Sequence, residues 1–457
     1  MRPAITEYAI SRLLLLSFAG AILVGGLLLF LPFSRMAGAP AISWVDALFT
    51  ATSAVCVTGL TVLDTGTSFS LTGQVILLVL IQIGGLGILT FSTWFMARPR
   101  QRIEIAQRML LETSHGVMEH VSPRQLLAIV FRYTFLAEAV GAVLLYWRFA
   151  GDFSGWEAGW MAVFHAVSAF CNAGFGLLSD NLTRYRADPL VNLVVMGLIV
   201  LGGLGFVVVA DLNAWFRGKK GGLPVRLSLH ARLVLRTSLV LILAGGVAIA
   251  WAEWGRVAMS QSPGTLLMES FFLSVSSRTA GFNTVAMDQL TNTTLCLVVF
   301  LMLIGGSPGS TAGGIKTTTA AVCYYLLRSR ARNRPRVECL ERSLPEETVT
   351  RAMLIVAAYL LATVVGTLLL QITEGGGGPF NATQGNIFLA CLFESVSALG
   401  TVGLTTGLTP NLTTTGKLVV ITLMFMGRVG PLLLAAVLVG QVRRLRYTCP
   451  EENVNIG

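Results

Sequence analysis

Long apolar runs separated by shorter ones are the feature that most limits how this chain of 457 residues can fold. A helix needs roughly 17–25 apolar residues to span a bilayer. Eight runs are that long or longer, at approximately 13–31, 75–97, 126–149, 190–216, 231–252, 295–327, 350–372 and 417–442. Between them lie four amphipathic stretches that are too short to span, near 44–56, 158–171, 264–277 and 386–399. The pattern predicts an all-α polytopic membrane protein whose short stretches are re-entrant or buried half-helices.

The charged residues support a membrane location and argue against a nucleic-acid partner. Only 12% of the residues are charged and 54% are hydrophobic, whereas a soluble domain carries about 25% charged residues. The net charge of +10 comes mainly from the linkers 98–124, 217–236 and 328–351 and from the C-terminus. Arginine and lysine concentrate on the cytoplasmic side of membrane proteins. We therefore expect both termini and the three linkers to be cytoplasmic, and the half-helices to enter the bilayer from outside.

The order long, short, long occurs four times, and a glycine motif follows each short stretch. The four glycine motifs are AVCVTGL (54–60), AFCNAGF (169–175), SSRTAGF (276–282) and ALGTVGL (398–404). Their glycines, Gly59, Gly174, Gly281 and Gly403, are 115, 107 and 122 residues apart. Near-equal spacing around a shared motif predicts an internal repeat. The predicted divisions are 1–97 for the first repeat, 98–217 and 218–328 for the second and third, and 329–457 for the fourth and the C-terminal tail.

Each repeat contains two spanning helices, so all four repeats share one orientation in the membrane. Repeats related in this way can surround an axis along the membrane normal, whereas inverted repeats alternate in orientation. The sequence therefore predicts four parallel helix–pore-loop–helix units around a central pore, with pseudo-fourfold symmetry. Glycine allows positive φ and close backbone approach, and a ring of backbone carbonyls can replace the hydration shell of a cation.

The last three residues up to the glycine of each motif form the predicted cation site. They are Val57, Thr58, Gly59, Asn172, Ala173, Gly174, Thr279, Ala280, Gly281, Thr401, Val402 and Gly403. Backbone carbonyls are the expected ligands. Because each loop keeps only one shared glycine, selectivity is predicted to rest mainly on the layer at the four glycines.

A polar break, LIGGSPGSTAGGIKTTTA at residues 303–320, interrupts the run of the third repeat. Its glycine spacing is similar to that of a Walker A phosphate loop, but Lys316 comes one position late and no strand precedes it. Because glycine and proline weaken helices, the break predicts an interrupted helix, either a simple kink or a loop that bulges into the pore. The equivalent helices carry only IGGLG (83–87), LGGLG (201–205) and MGRVG (426–430), so the break is expected in the third repeat alone.

Taken together, the glycine motifs, the two-helix repeats and LIGGSPGSTAGGIKTTT resemble the Trk/Ktr/HKT superfamily of potassium transporters over nearly the whole chain. The first motif follows a single spanning helix, a layout closer to the Ktr-type membrane subunits than to Trk-type subunits, which remain the alternative. Plant HKT proteins often have serine at the first filter position, whereas Gly59 fits the potassium-selective pattern. The resemblance implies K⁺ uptake, with K⁺ bound by the carbonyls of Gly59, Gly174, Gly281 and Gly403, and leaves coupling to Na⁺ open.

The resemblance also implies partners and a gate. It implies a homodimer in the plasma (inner) membrane and a cytoplasmic ring of RCK-type subunits that bind ATP/ADP or NAD(H). No cofactor is expected in this chain. A movable gate is implied at the polar break, together with an arginine of the last helix. The predicted gate residues are Gly305, Gly306, Ser307, Pro308, Gly309, Ser310, Thr311, Ala312, Gly313, Gly314, Lys316 and Arg428.

Three basic residues lie inside apolar runs, where a charge is costly and suggests a function. Arg428 either pairs with buried carbonyls or a carboxylate, or forms an electrostatic barrier or gate latch. Arg278 is expected to point away from the pore and to donate to carbonyls or to an acid such as Glu269 or Glu394. Lys316 would pair with carbonyls of its own loop or extend to the cytoplasm, and a gating role stays open.

The remaining polar residues near the half-helices have two interpretations. They attract cations to the outer mouth, or they cap and tether helices, and the residues concerned are Asp46, Glu269 and Glu394. His165 is expected to pack in the core. The linker 328–351 also carries acids, so besides setting topology it could dock a cytoplasmic partner or bind anionic lipid through its arginines.

Two other classes of function fit the sequence less well. An alternating-access symporter for a small solute would be expected to have inverted repeats and a midplane pocket, and the even number of spans per repeat argues against it. A membrane enzyme would need a nucleophile with its base or a metal-ligand cluster, and the sequence suggests neither.

Overall fold

The computed structural model describes residues 3–96, 123–220, 226–257, 262–375 and 387–430. Its helices are α1 (Pro3–Phe30), α2 (Trp44–Cys56), α3 (Thr65–Ser68), α4 (Leu71–Met96), α5 (Pro123–Phe149), α6 (Gly155–Phe170), α7 (Pro189–Gly203), α8 (Phe206–Lys220), α9 (Leu229–Val257), α10 (Pro263–Ser276), α11 (Asn292–Leu303), α12 (Thr317–Ala331), α13 (Glu346–Glu374), α14 (Ile387–Gly400) and α15 (Thr414–Val429). Single 3₁₀ turns lie at Pro32–Ser34, Thr183–Tyr185, Met287–Gln289 and Thr409–Asn411. The strands β1 (Glu338–Cys339) and β2 (Arg342–Ser343) form an antiparallel hairpin.

The long helices confirm the polytopic all-α prediction. Five predicted spans are continuous helices of 26 to 29 residues, namely α1, α4, α5, α9 and α13. Over residues whose side chains are described, α5, α9 and α13 are long and apolar enough to cross a membrane, and α7 and α8 meet the same criterion only when taken together as one bent pair. The basic linker at 97–122 and the end of the last predicted span, 431–442, lie outside the described residues.

The four short stretches form the half-helices α2, α6, α10 and α14, as predicted. Side-chain oxygens cap two of them, since Ser43 accepts from the Asp46 backbone N–H and Ser262 accepts from that of Thr265. Each half-helix packs against a long helix of its own repeat. Between repeats, α4 packs on α5 and α6, α7 on α10, α11 on α14, and α15 on α2. The repeats are therefore neighbours in the closed order first, second, third, fourth, first.

Within the described residues, the run of the second repeat is broken as well as that of the third, which corrects the expectation that only the third repeat carries a break. In the third repeat α11 ends at Leu303 and α12 begins at Thr317, so residues 304–316 form a loop and not a kink. In the second repeat the helix also stops, at Gly203, and the chain bends by 96° between α7 and α8. Gly205 supplies the turn with a φ of +88°.

Candidate functional site

The glycine motifs leave each half-helix through the same backbone turn. In every motif the residue two positions before the glycine adopts positive φ, and the glycine does so too. The φ values are 57° for Val57, 59° for Asn172, 70° for Thr279 and 50° for Thr401. Positive φ is unfavourable for β-branched residues, and such strain persists only where the surrounding structure imposes it. All twelve predicted site residues lie at these turns, and their non-glycine members are at most 1% exposed.

The four turns meet in a closed ring, which we call the glycine ring (Gly59, Gly174, Gly281 and Gly403, each with the residue before it). A methyl group on Gly174 would lie 2.8 Å from the carbonyl oxygen of Ala280, and one on Gly281 would lie 2.6 Å from that of Val402. In the same sense, Gly59 faces the carbonyl oxygen of Ala173 and Gly403 faces that of Thr58. Each glycine thus lies against the carbonyl that precedes the next glycine. A side chain at any of the four would collide with backbone.

A serine in each repeat fixes these turns, a feature that the sequence interpretation missed. The hydroxyl of Ser53 accepts from the Gly59 N–H at 3.0 Å, and that of Ser397 accepts from the Gly403 N–H at 3.1 Å. Ser168 instead donates to the carbonyl of Phe175 at 2.7 Å, and Ser276 donates to that of Phe282. A sequence pattern could have identified these serines. Ser-Ala stands six residues before the glycine in three motifs, and the third motif has its serine one position later.

Residues 304–316, which we call the intramembrane loop, begin and end side by side. We call the hydrogen-bonded ends of the loop its neck. The N–H of Gly305 donates to the carbonyl of Ile315 at 2.9 Å, and the N–H of Ile315 donates to that of Leu303 at 3.2 Å. The N–H of Thr317 donates to the carbonyl of Gly306 at 3.0 Å. Within the loop, Lys316 Nζ donates to the carbonyl of Ala312 at 2.7 Å, one of the two predicted arrangements.

The loop occupies the break between α7 and α8. The N–H groups of Ser307 and Thr311 donate to the carbonyls of Gly203 and Gly202, at 3.0 and 3.3 Å. In return, the Phe206 N–H donates to the carbonyl of Gly309 at 2.9 Å. The last carbonyls of a helix have no partner inside the helix, so the loop satisfies groups that the break exposes.

The loop also touches the glycine motifs. A methyl group on Gly305 would lie 3.1 Å from Thr279 Cγ2, and one on Gly313 would lie 3.3 Å from the carbonyl oxygen of Gly400. Thr311 Oγ1 donates to the carbonyl of Phe170, at the end of the second half-helix, at 3.2 Å. The loop therefore lies directly beside the second, third and fourth motifs.

Arg428 joins the loop to two further helices. Its side chain is buried in α15, with Nη1 donating to the carbonyl of Thr311 and Nη2 donating to that of Gly84 in α4. Tyr359 of α13 donates to the carbonyl of Gly427 at 3.2 Å, next to the arginine. Among the described residues, no carboxylate lies within ion-pair distance of Arg428. Its charge is therefore compensated by backbone carbonyls, one of them in the loop.

The other buried charges have structural partners. Arg278 donates to the backbone carbonyl and hydroxyl oxygens of Ser238, at 3.4 and 3.2 Å, and not to Glu269 or Glu394. Glu269 lies 3.7 Å from Arg186. Glu394 accepts hydrogen bonds from the side chains of Thr405 and Thr409 and from the N–H of Thr406, at 3.2 Å for the last.

Asp46 and His165 have structural roles, and the sequence interpretation missed a further buried acid, Glu138. Asp46 pairs with Lys417 of α15 at 2.6 Å, which ties the first half-helix to the fourth repeat. His165 Nδ1 lies 2.8 Å from the carbonyl oxygen of Met161 in the core. Glu138, inside the span α5, accepts from Gln82 of α4 at 3.0 Å, and a carboxylate in an apolar run was signal enough to find it. The described residues contain no cluster of His, Cys, Asp or Glu suited to a metal ion.

Comparison with known proteins shows where the chain belongs. Residues 32–441 match the TrkH family, described as cation transport proteins. The chain is a member of the TrkH family. The potassium/sodium uptake protein NtpJ of Enterococcus hirae is 38% identical over 452 residues, which cover 98% of this chain and 97% of NtpJ. Ktr system potassium uptake protein B of Vibrio alginolyticus is also 38% identical, over 98% of this chain and 94% of that protein.

A solved structure shows the same fold. The potassium transporter TrkH from Vibrio parahaemolyticus superimposes with a TM-score of 0.71 at 20% identity, over 94% of this chain and 85% of that chain. The TrkH-family relatives are transporters and not enzymes. This TrkH-family chain is accordingly a multi-pass membrane transport protein, and it is similar to the Ktr-type membrane subunits.

Proposed function

We propose that this chain is the potassium-translocating membrane subunit of an uptake system, and that K⁺ crosses through the glycine ring. The observation that carries the proposal is the closed order of contacts, in which each of the four glycines lies against the carbonyl before the next glycine. A ring of backbone carbonyls can replace the water that a cation loses on entering a narrow pore. The names of two relatives, a potassium/sodium uptake protein and a potassium uptake protein, support K⁺ as the ion.

The intramembrane loop is the proposed gate and Arg428 its latch. The loop packs against Thr279 and Gly400, directly beside the ring, and a polar segment there would obstruct an ion that leaves the ring. Arg428 holds the loop through the carbonyl of Thr311 and brings a positive charge close to the path. Both a physical obstruction and an electrostatic barrier oppose cations in this closed arrangement.

The proposal includes the setting of the transporter. The basic linkers favour cytoplasmic termini, and we place the chain in the plasma (inner) membrane. The Ktr-system relatives support a regulatory partner, for which we propose a cytoplasmic ring of RCK-type subunits that bind ATP/ADP or NAD(H), beneath a homodimer of this chain. Dependence on Na⁺ is proposed from the relative named for both ions.

Substitution of ring glycines tests the proposal most directly. The variants are Gly281→Ser and Gly403→Ser, with Gly159→Ser as the matched control, because a methyl group on Gly159 of the half-helix α6 would meet no atom within 4 Å. In proteoliposomes, competition between Rb⁺ or K⁺ and Na⁺ measures discrimination. We expect it to fall about tenfold in the ring variants, which corresponds to about 1.4 kcal/mol of lost coordination, and to stay unchanged in the control.

The result that overturns the proposal is unchanged ion competition in ring variants that are folded and monodisperse.

A separate growth assay tests whether the chain takes up K⁺ at all. Expression in a bacterium deficient in potassium uptake is expected to restore growth at low potassium, and failure to do so with protein present in the membrane would exclude K⁺ uptake.

A further inference from the structure

A cleft of roughly 630 Å³ lies beside the β1–β2 hairpin, between the end of α12 and the start of α13. Two arginines, Arg330 and Arg336, are among the residues that line it. Leu326, Val349 and Met353 provide an apolar part of the lining. The cleft therefore combines two positive charges with a hydrocarbon wall.

The two arginines of the cleft are not neutralised by the protein. Within the described part of the chain, neither guanidinium has an ion pair, whereas neighbouring Arg334 pairs with Glu338, and Arg351 pairs with Glu347 at 2.7 Å. Glu346 is the one acid that lines the cleft, and it is exposed at the rim. A net positive charge remains available to an external anion.

The cleft is part of a rigid structure. Val337 of the hairpin segment is buried against Val322 of α12 and Val349 and Ala352 of α13. Cys339 of β1 packs in a second cluster that includes Leu233 of α9. The hairpin therefore holds the ends of α12 and α13 at a fixed separation, and a ligand would find the cleft already formed.

The helices around the cleft place it at the edge of the hydrocarbon layer. Leu327 of α12 and Leu354 of α13 are 71% and 54% exposed, and α13 is long and apolar enough to cross a membrane. Large exposed apolar side chains on such helices face lipid chains. Leu326 precedes Arg330 by one helical turn, and Met353 lies about 10 Å along α13 from Glu346. The charged and apolar residues of the cleft thus match the boundary between headgroups and acyl chains.

We propose that this cleft binds an anionic phospholipid, with its phosphate on Arg330 and Arg336 and an acyl chain against Leu326, Val349 and Met353. An amphiphile contacts the arginines and the apolar lining at once, whereas a soluble anion would leave the apolar lining uncovered. A cytoplasmic protein would have to enter the hydrocarbon layer to reach Met353. Arginines at the membrane surface attract anionic lipid individually, and here two of them share one concave site.

The bound lipid has a direct route to the intramembrane loop. Helix α12 begins at Thr317, the residue that follows the loop, and its last turn carries Arg330. A lipid held at Arg330 restrains the helix on which the loop ends. Anionic lipid is therefore expected to change transport activity, whichever monovalent cation the transporter carries.

The experiment compares two double variants with equal loss of charge. Arg330→Gln with Arg336→Gln removes the arginines of the cleft, and Arg332→Gln with Arg342→Gln removes two exposed arginines of the same linker outside it. Each full-length protein is placed in nanodiscs that contain phosphatidylglycerol and phosphatidylcholine, and retained lipid is measured by native mass spectrometry. We expect retention of phosphatidylglycerol to fall on the order of tenfold in the cleft variant and to stay near wild type in the control.

Three further measurements separate lipid from the other possible ligands. Met353→Ser, which keeps every charge, is expected to weaken phosphatidylglycerol retention, and inorganic phosphate is expected not to displace the lipid. Equal loss of lipid in both double variants would show unspecific attraction and overturn the proposal, as would displacement by phosphate. Unchanged lipid retention in the cleft variant, with loss of regulation by a cytoplasmic partner, would also overturn it and identify a protein-docking surface.

Discussion

The glycine ring and the intramembrane loop lie against each other but are held in opposite ways. The ring leaves no room for movement, since a methyl group on Gly281 would already lie 2.6 Å from the carbonyl oxygen of Val402. The loop is attached to α7 and α8 by three backbone hydrogen bonds of 2.9 to 3.3 Å, and to α15 by Arg428. Each ring glycine is confined by the backbone of the next repeat, whereas the loop is held to its neighbours by polar bonds together with its packing against Thr279 and Gly400.

This difference separates two tasks that a cation pathway must perform. Carbonyl ligands select between ions only if their spacing is controlled, and in the proposed pathway the confined ring would provide that control. A gate must leave its closed position at small cost. When the loop moves, the carbonyls of Gly202 and Gly203 and the N–H of Phe206 lose their partners, but water in an open pore can replace them. The neck formed by Gly305 and Ile315 can remain closed meanwhile.

Removal of the intramembrane loop is expected to have the largest effect on flux, and it tests whether the loop and the glycine ring have separate tasks. In a variant that lacks 307–313, Gly306 joins Gly314, and the neck makes this feasible because the Gly305 N–H already lies 2.9 Å from the Ile315 carbonyl. Three backbone bonds of about 1 kcal/mol each hold the loop closed, so flux in proteoliposomes is expected to rise roughly tenfold or more. Discrimination between K⁺ and Na⁺ is expected to stay near wild type.

The control for this deletion is Ser310→Ala, which removes a hydroxyl whose hydrogen bonds stay inside the loop: it donates to the Ser307 carbonyl at 2.7 Å and accepts from the Ala312 N–H at 3.3 Å. Its flux is expected to match wild type. A folded deletion variant with unchanged or abolished flux would show that the loop is no gate. A deletion variant that loses ion discrimination would show that loop and ring are one unit.

Loss of the arginine latch is expected to have an intermediate effect. Arg428→Ala removes a charged hydrogen bond to the Thr311 carbonyl, a bond type worth about 1.5–3 kcal/mol, but leaves the three backbone bonds of the loop. We expect flux to rise severalfold. Combined with the 307–313 deletion, Arg428→Ala should add little, because the carbonyl that it holds is gone. Effects that simply add in the double variant would contradict the latch, since contacting groups are expected to couple.

Helix positions and glycine motifs could be predicted from the sequence because local properties determine them. The length of an apolar run limits what spans a bilayer, and only glycine fits where backbones touch, as at Gly59 and Gly174. Partners of side chains from other repeats could not be predicted. Arg278 was expected to donate to carbonyls or to an acid such as Glu269 or Glu394. It donates to the carbonyl of Ser238 in the preceding span, and the sequence could not identify this carbonyl because only folding places it within reach.

The segments IGGLG and LGGLG show that the backbone conformation, too, could not be predicted from the local sequence alone. Residues 83–87 stay helical within α4, whereas residues 201–205 end α7 and turn the chain. The two segments differ by a single residue type, so local propensity cannot separate them. The intramembrane loop accounts for the difference in conformation. Its N–H and carbonyl groups pair with Gly202, Gly203 and Phe206 and replace helical hydrogen bonds there. At Gly84 the distant partner is instead the Arg428 side chain, which binds a helical carbonyl without breaking the helix.

The serines behind the ring are expected to have the smallest effect, and they test whether the ring is as confined as its contacts indicate. Ser397→Ala leaves the N–H of Gly403 without its acceptor, which lies at 3.1 Å. A buried hydrogen bond of this kind contributes about 1 kcal/mol, so ion discrimination is expected to fall about fivefold or less. Ser395→Ala is the matched control, since the Ser395 hydroxyl is buried in the same half-helix and has no protein partner among the described residues.

Ser276→Ala sharpens this last test, because its hydroxyl donates to the Phe282 carbonyl and does not accept from a ring N–H. If confinement by backbone contact dominates, both serine variants will lose less discrimination than Gly403→Ser does. If Ser397→Ala is as damaging as Gly403→Ser, the hydroxyl and not the close packing holds the ring. The ring would then depend on a few polar bonds, as the loop does, and the contrast between the two regions would be wrong.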